Sequence, residues 1–369
     1  MKHPIIEATW KHGQAIWLDF ISRRLIDSGD LERLVDEGLR GLTSNPTIFQ
    51  QAVANSTDYD REVRLGVEHE WEPQRIFEQL AIADISRSAD ALRAVWDESN
   101  GTDGFVSLEV SPRLAHDTED TIREAQHLWK AVNRPNLMIK VPATKEGIPA
   151  IRALLGEGLN INVTLIFSLD QYRAVLDNFI DAVEYRVGRG LDATRIASVA
   201  SFFVSRVDNV ADKQLTERGR ADLGGKAAIA NACQAYRHFL DVTHSDRWRR
   251  LASAGAQVQR PLWASTSTKN PAYPDTLYVQ ELVAADTVNT VPPATLEAWK
   301  DHGRPEASLL HNLDQADRVL AEIAAAGVDV GQITTDLIED GVKKFSESYD
   351  QLLDAIRAKA RGGALTGSR

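Results

Sequence analysis

The feature that most constrains this chain is a rhythm. Short apolar runs at 15–21, 41–44, 104–110, 137–141, 162–167, 196–204, 259–264 and 287–291 have the length and side chains of strands. Longer amphipathic stretches of helical period lie between them, at 31–38, 73–97, 118–132, 148–156, 169–187, 208–215 and 224–243. Strand–helix alternation implies a parallel sheet with helical crossovers. Eight such strands favour a closed (β/α)8 TIM barrel over an open doubly wound sheet. The whole chain, 1–369, is expected to form one barrel domain with additions. The polar connection 45–72 predicts an extra helix around 56–68, and 205–250 is long enough for two or three helices. Apolar positions Ile333, Leu337, Val342, Phe345, Tyr349, Leu352, Leu353 and Ile356 predict a C-terminal helical extension over 332–361, with possible breaks. The Gly-rich stretch 362–369 reads as a flexible tail.

Composition narrows the partners. A net charge of −11 argues against non-specific nucleic-acid binding and against an anionic membrane surface. It is compatible with a phosphorylated substrate held by a local cationic site. The sequence has no apolar run of about 18 residues, the length a membrane helix needs. A single cysteine, Cys233, cannot form an internal disulfide, and with no apolar leader in the first residues a cytoplasmic location is expected. No Cys or His spacing resembles a metal site, and neither a phosphate-loop nor a dinucleotide fingerprint is found, so no metal and no cofactor is expected.

Several strands carry or lead into polar residues that a core would not choose. These are Asp19, Asn45, Glu109, Lys140, Asn162 with Thr164, Ser201 leading to Arg206, and Ser265 leading to Lys269. Strand C-terminal ends converge at one mouth of a barrel, so these residues can form one site. Lys140 is the oddest, being enclosed by Leu137, Met138, Ile139 and Val141. Burying an unpaired ammonium is costly, but a buried free amine attacks carbonyls. The strand alone favours the plainer reading, a lysine that snorkels to solvent. A Schiff-base reaction also needs acid/base groups to dehydrate the carbinolamine and to take a hydroxyl proton as the C–C bond breaks. Glu109 and Asp19 supply carboxylates for this, and Thr164 can hold a water. Glu109 also reads as a structural ion-pair partner of Lys140, and Asp19 as a turn-bonding carboxylate. Asn45 lies in an Asn-Pro turn opener, and Asn162 and Ser201 read as satisfied core groups or as substrate ligands. Arg206 and Lys269 suit a phosphate, although lone basic residues are usually surface charges.

Five stretches in order carry a family resemblance: Gly41-Leu-Thr-Ser-Asn-Pro-Thr-Ile-Phe49, Val106-Ser-Leu-Glu-Val-Ser-Pro112, Met138-Ile-Lys-Val-Pro-Ala-Thr144, Gly158-Leu-Asn-Ile-Asn-Val-Thr-Leu-Ile-Phe167 and Ala200-Ser-Phe-Phe-Val-Ser-Arg206. Together they resemble transaldolase, over about residues 10–360, and by length the longer bacterial and plant-like branch.

The resemblance implies a barrel that transfers a dihydroxyacetone unit without a cofactor. The donor would be sedoheptulose 7-phosphate or fructose 6-phosphate, and the acceptor glyceraldehyde 3-phosphate or erythrose 4-phosphate, in the non-oxidative pentose phosphate pathway. By position it implies Lys140 as Schiff-base nucleophile, Asp19 as acid/base, and Glu109 with Thr164 managing a catalytic water. Asn45, Asn162 and Ser201 would hold the dihydroxyacetone moiety, with Phe203 beside them and Arg206 on the phosphate. The family's second phosphate ligand is often an arginine in Ala-Ser-x-Arg-Asn. Here Ala264-Ser-Thr-Ser-Thr-Lys-Asn270 is longer and offers Ser265 and Lys269 instead. The alternatives are an aldolase that releases free dihydroxyacetone, and a non-catalytic phosphosugar-binding barrel. The expected assembly is a monomer or homodimer.

Overall fold

Strands of a closed parallel sheet are covered outside by helices and inside by their own side chains, so they read as nearly unbroken apolar runs. The computed structural model describes residues 2–366 and has this architecture. Eight parallel strands close into a barrel in chain order: β1 (Gln14–Asp19), β2 (Gly41–Thr43), β3 (Phe105–Glu109), β4 (Leu137–Pro142), β5 (Ile161–Ile166), β6 (Ser198–Phe203), β7 (Gln259–Ala264) and β8 (Thr287–Val291). β8 pairs back onto β1, so no strand is an edge, and Lys140 lies between two paired neighbours. Among the described residues no helix is long and apolar enough to cross a membrane.

The strand ladder decides which side chains face the interior. Asp19 pairs with Thr43, Thr43 with Ser107, Glu109 with Lys140, Lys140 with Asn162, and Pro142 with Thr164. Because side chains alternate along a strand, this one register turns Asp19, Thr43, Ser107, Glu109, Lys140, Asn162 and Thr164 inward together. Ser201 joins them by hydrogen bonding to Asn162.

The N-terminal end of the barrel is closed by polar groups that bond one another. Gln14 Nε2 donates to Leu282 O at 2.7 Å and to Thr287 Oγ1 at 2.9 Å. Asp103, wholly buried just before β3, accepts from Trp17 Nε1 at 3.1 Å, Arg40 Nε at 2.9 Å and Arg260 Nη1 at 3.2 Å. Gly41 makes room for this layer, since a Cβ there would fall 2.4 Å from the Trp17 ring.

Several elements differ from the sequence pattern. β1 stops at Asp19 because Ser22 caps a new helix, Arg23–Asp27, accepting from Leu25 N. The connection 45–72 holds the helix expected around 56–68, at Asp60–Glu68, and a second one before it, Pro46–Ala54; Asn45 caps this second helix, and a proline, which has no N–H to leave unpaired, opens it. The stretch 73–97 breaks at Leu92 into Pro73–Ala91 and Arg93–Glu98. Helices Pro4–Lys11, Pro293–His302 and Ser308–Ala325 had no counterpart in the sequence pattern. The region 205–250 holds Ser205–Glu217, the short 3-10 turn Ala221–Leu223, Ala227–Thr243 and the start of Asp246–Ser253. The C-terminal extension is one helix, Val330–Thr366, and of the expected tail residues 367–369 lie outside the described residues. Cys233 is buried in Ala227–Thr243.

Candidate active site

Lys140 is only 4% exposed, so its ammonium does not snorkel out. Its Nζ lies 3.4 Å from Glu109 Oε2 and donates to the Ser44 carbonyl at 3.2 Å. The residue just past β2 thus supplies a carbonyl, and β3 a carboxylate, to the same amine. Burial pushes the Glu109 carboxyl up to about 7, against the pull of Lys140 and with added repulsion from Asp19. A carboxyl poised there exchanges protons readily near neutrality. Burial also raises Asp19, against the attraction of Lys140, a hydrogen bond from Thr43 Oγ1 at 2.7 Å, and Arg206. Part of the Asp19 surface stays open inside the mouth, although protein atoms crowd its carboxyl.

Three polar atoms at this mouth are buried without a hydrogen-bond partner: Glu109 Oε2, Thr164 Oγ1 and Arg206 Nη1. The 3.4 Å approach of Glu109 Oε2 to Lys140 is an ion-pair contact rather than an aligned hydrogen bond. Unsatisfied buried groups cost stability, so a cluster of them points to a ligand or water that completes the set. Arg206 opens the helix Ser205–Glu217, with its guanidinium 5.1 Å from the Phe203 ring centroid and 5.8 Å from that of Phe345. Burial lowers its pKa, opposed by Asp340, Asp19 and Glu109, yet no carboxylate forms an ion pair with it among the described residues. A fork of donors in that state suits a phosphate.

The other candidates divide into bonded and open groups. Asn162 Nδ2 donates to Ser107 Oγ at 3.0 Å, and Asn162 Oδ1 accepts from Ser201 Oγ at 2.7 Å. This chain fixes the amide's orientation across β3, β5 and β6. Asn45 Oδ1 caps its helix by accepting from Ile48 N at 3.0 Å, so its turn role is real, and its amide nitrogen takes no part in that cap. Ser265, at a left-handed φ of 55° just past β7, shares a 2.9 Å hydroxyl contact with Ser205. Lys269 is exposed and donates to Ser267 Oγ at 3.0 Å, so it is the candidate least tied to the others. Lys145 is exposed just before the helix Gly147–Glu157. Among the described residues no three His, Cys, Asp or Glu side chains gather to hold a metal.

Sequence reasoning passed over four residues at this site. Thr43 bonds Asp19 and also touches Thr290 Oγ1 at 2.7 Å, Ser44 receives Lys140, and Ser107 anchors Asn162. All three were visible as polar residues within apolar strands. Phe345, whose ring centroid is 5.8 Å from Lys140 Nζ, had no such signal, being one apolar helix position among many.

Residues 16–356 match the family model described as Transaldolase/Fructose-6-phosphate aldolase. The chain belongs to this family. Curated relatives named transaldolase cover nearly its whole length. The one from Parafrankia sp. (strain EAN1pec) is 50% identical over 357 residues, which is 95% of this chain and 97% of the relative. The one from Frankia alni is 47% identical over 96% of this chain and 97% of its own length. The one from Thermobifida fusca is 48% identical over 93% of this chain and 95% of its own. Membership in the transaldolase/fructose-6-phosphate aldolase family agrees with the closed eight-stranded barrel.

Proposed function

We propose that this chain is a transaldolase that carries a dihydroxyacetone unit from a ketose phosphate to an aldose phosphate through a Schiff base on Lys140. The observation that carries the reading is the amine of Lys140, buried at the mouth of a family barrel and 3.4 Å from a carboxyl raised to about 7. In this reading the free amine attacks the donor ketone. Glu109, with a water on Thr164, delivers the proton that lets the carbinolamine lose its hydroxyl. Asp19 takes the donor hydroxyl proton as the C–C bond breaks and the aldose phosphate leaves. The enamine left on Lys140 then attacks an acceptor aldehyde. Running the first steps in reverse releases the new ketose.

Asn45, Asn162 and Ser201 hold the dihydroxyacetone hydroxyls in this scheme, and Phe203 lines the pocket. Arg206 takes the phosphate, with Ser265 and Lys269 as further phosphate-side donors. Sedoheptulose 7-phosphate or fructose 6-phosphate as donor, and glyceraldehyde 3-phosphate or erythrose 4-phosphate as acceptor, fit a reaction in the non-oxidative pentose phosphate pathway and a cytoplasmic setting. The test is an assay with fructose 6-phosphate in the presence and absence of erythrose 4-phosphate. A transferase turns over only with the acceptor. Steady release of dihydroxyacetone without acceptor, as fast as transfer, would make the chain an aldolase instead.

A further inference from the structure

The C-terminal helix Val330–Thr366 lies across the mouth, outside the strand–helix repeat of the barrel. Two features let it approach closely. β5 has a register irregularity between Val163 and Ile166, where Leu165 adopts a left-handed φ of 58° directly after Thr164. The helix passes over this point with Gly341, where a Cβ would come 2.9 Å from Leu165 Cδ2. A mid-helix glycine costs about 1 kcal/mol relative to alanine, and here close packing accounts for it. One turn later on the same face is Phe345, only 3% exposed. Its ring centroid is 5.8 Å from Lys140 Nζ and also 5.8 Å from the Arg206 guanidinium. A further turn on, Tyr349 packs edge-on against Phe77 at 5.7 Å and fixes the helix at its far side.

Cavities flank this stripe. One, of 1090 Å³, is lined by Asn45, Glu109, Glu78, Glu124 and Tyr349. The other, of 600 Å³, is lined by Arg206, Arg218, Lys344, Asp336 and Asp340. Glu109 thus borders one cavity and Arg206 the other, while the Phe345 ring stands within reach of both Lys140 and Arg206. A donor adduct on Lys140 with its phosphate on Arg206 would join the two groups that the Phe345 ring approaches.

We propose that Phe345 is a positioning residue that closes the mouth over the Lys140 adduct and keeps the enamine from protonation until an acceptor aldehyde arrives. This rests on the Schiff-base reading above. Loss of the enamine is a defined side path. Its carbon takes a proton, giving the imine; water then hydrolyses the imine to dihydroxyacetone and the free amine of Lys140. An aromatic ring over the amine excludes the water and stray acids this path needs, and it supplies no proton itself. It also sets a second ring, besides that of Phe203, against the Arg206 guanidinium, and so limits the arc in which the phosphate is held.

The test is the ratio of acceptor-free dihydroxyacetone release to transfer in the full chain, a partition that a merely misfolded fraction does not change. Phe345→Ala is expected to raise this ratio by about tenfold or more, equivalent to at least ~1.4 kcal/mol of barrier difference. Phe345→Leu, which keeps apolar bulk and still reads the effect if the alanine variant fails to fold, is expected to raise it by a smaller factor. Leu352→Ala loosens the same helix away from the ring and is expected to leave the ratio unchanged. A wild-type ratio in both Phe345 variants, or an equal rise in Leu352→Ala, would overturn the proposal. If the unaltered protein instead forms no borohydride-trappable adduct with donor, it is the Schiff-base reading that fails.

Discussion

Asp103 precedes β3 and Glu109 ends it, so one short strand joins two buried carboxylates at opposite ends of the barrel. Asp103 accepts three hydrogen bonds, two from arginines. Glu109 has one cation at 3.4 Å, an unpartnered Oε2 and a carboxyl raised to about 7. Buried charges are tolerated when fully paired, and Asp103 follows that rule. At the mouth the rule is broken twice, at Glu109 and Arg206, and Thr164 adds an unpartnered hydroxyl beside them. The N-terminal end is not perfect, since Gln14 Oε1, Asn136 Oδ1 and Gln259 Oε1 also lack partners, but those are neutral amides. The difference teaches that strand positions of one register are spent on stability at one end and held open for substrate at the other.

Substitutions at the two ends should therefore separate activity from stability. The largest effect is expected for Lys140→Ala, which should abolish turnover while its circular dichroism and melting stay close to those of the parent. Turnover near the parent rate would remove Lys140 as nucleophile. Asp103→Ala should do the opposite, leaving Arg260 and Arg40 facing an uncompensated buried site. Denaturant unfolding is expected to show a loss of about 3–5 kcal/mol, with kcat per folded molecule unchanged. A large fall in kcat for the folded fraction would blur the distinction between the ends.

Smaller effects sharpen the comparison. Thr164→Val removes a hydroxyl that has no partner in the fold. Its melting temperature should hold or rise, because deleting an unsatisfied group relieves a desolvation cost, while kcat should fall about 10²-fold if that hydroxyl orients a catalytic water. Loss of stability without loss of rate would assign it a structural role. Arg206→Ala should raise KM for phosphorylated donors by about 10–100-fold, the range for a charged hydrogen bond of ~1.5–3 kcal/mol, and an unchanged KM would take Arg206 off the phosphate. The smallest signal is a pH slope. Glu109 has a folded pKa raised from 4.5 to about 7, so between those values the folded state holds more protons than the unfolded state. Its contribution to stability is intact at low pH and is lost as pH rises through that window. Unfolding titrations of Glu109→Gln should show a shallower decline across it, and an identical slope would mean that Glu109 is not raised.

Much of this was legible in the chain. The strands announce themselves because both faces of a closed parallel sheet are buried, so each strand reads as an apolar run. Lys140, Glu109 and Asp19 stand out because a charge in such a run has no ordinary reason to be there. Other parts were hidden for physical reasons. β2 has only three residues, too few for periodicity to show that Thr43 faces the site and that Ser44 turns its carbonyl to Lys140. The break at Leu92 has no proline or glycine to mark it, and that leucine is fully buried. Phe345 was legible as an apolar helix position but not as a neighbour of Lys140, since periodicity gives a buried face and not what lies beneath it. Lys269 was legible as a departure from the family pattern, and its exposed ammonium leaves its role to the KM of a Lys269→Ala variant.

The central claim is that the amine of Lys140 forms a covalent bond to the donor ketone. Incubating the full chain with fructose 6-phosphate, reducing with borohydride and mapping the modified peptide by mass spectrometry tests it directly. The account predicts one reduced dihydroxyacetone adduct, on Lys140, absent from Lys140→Ala. No adduct, or an adduct on another lysine such as Lys145 with Lys140 unmodified, would contradict it.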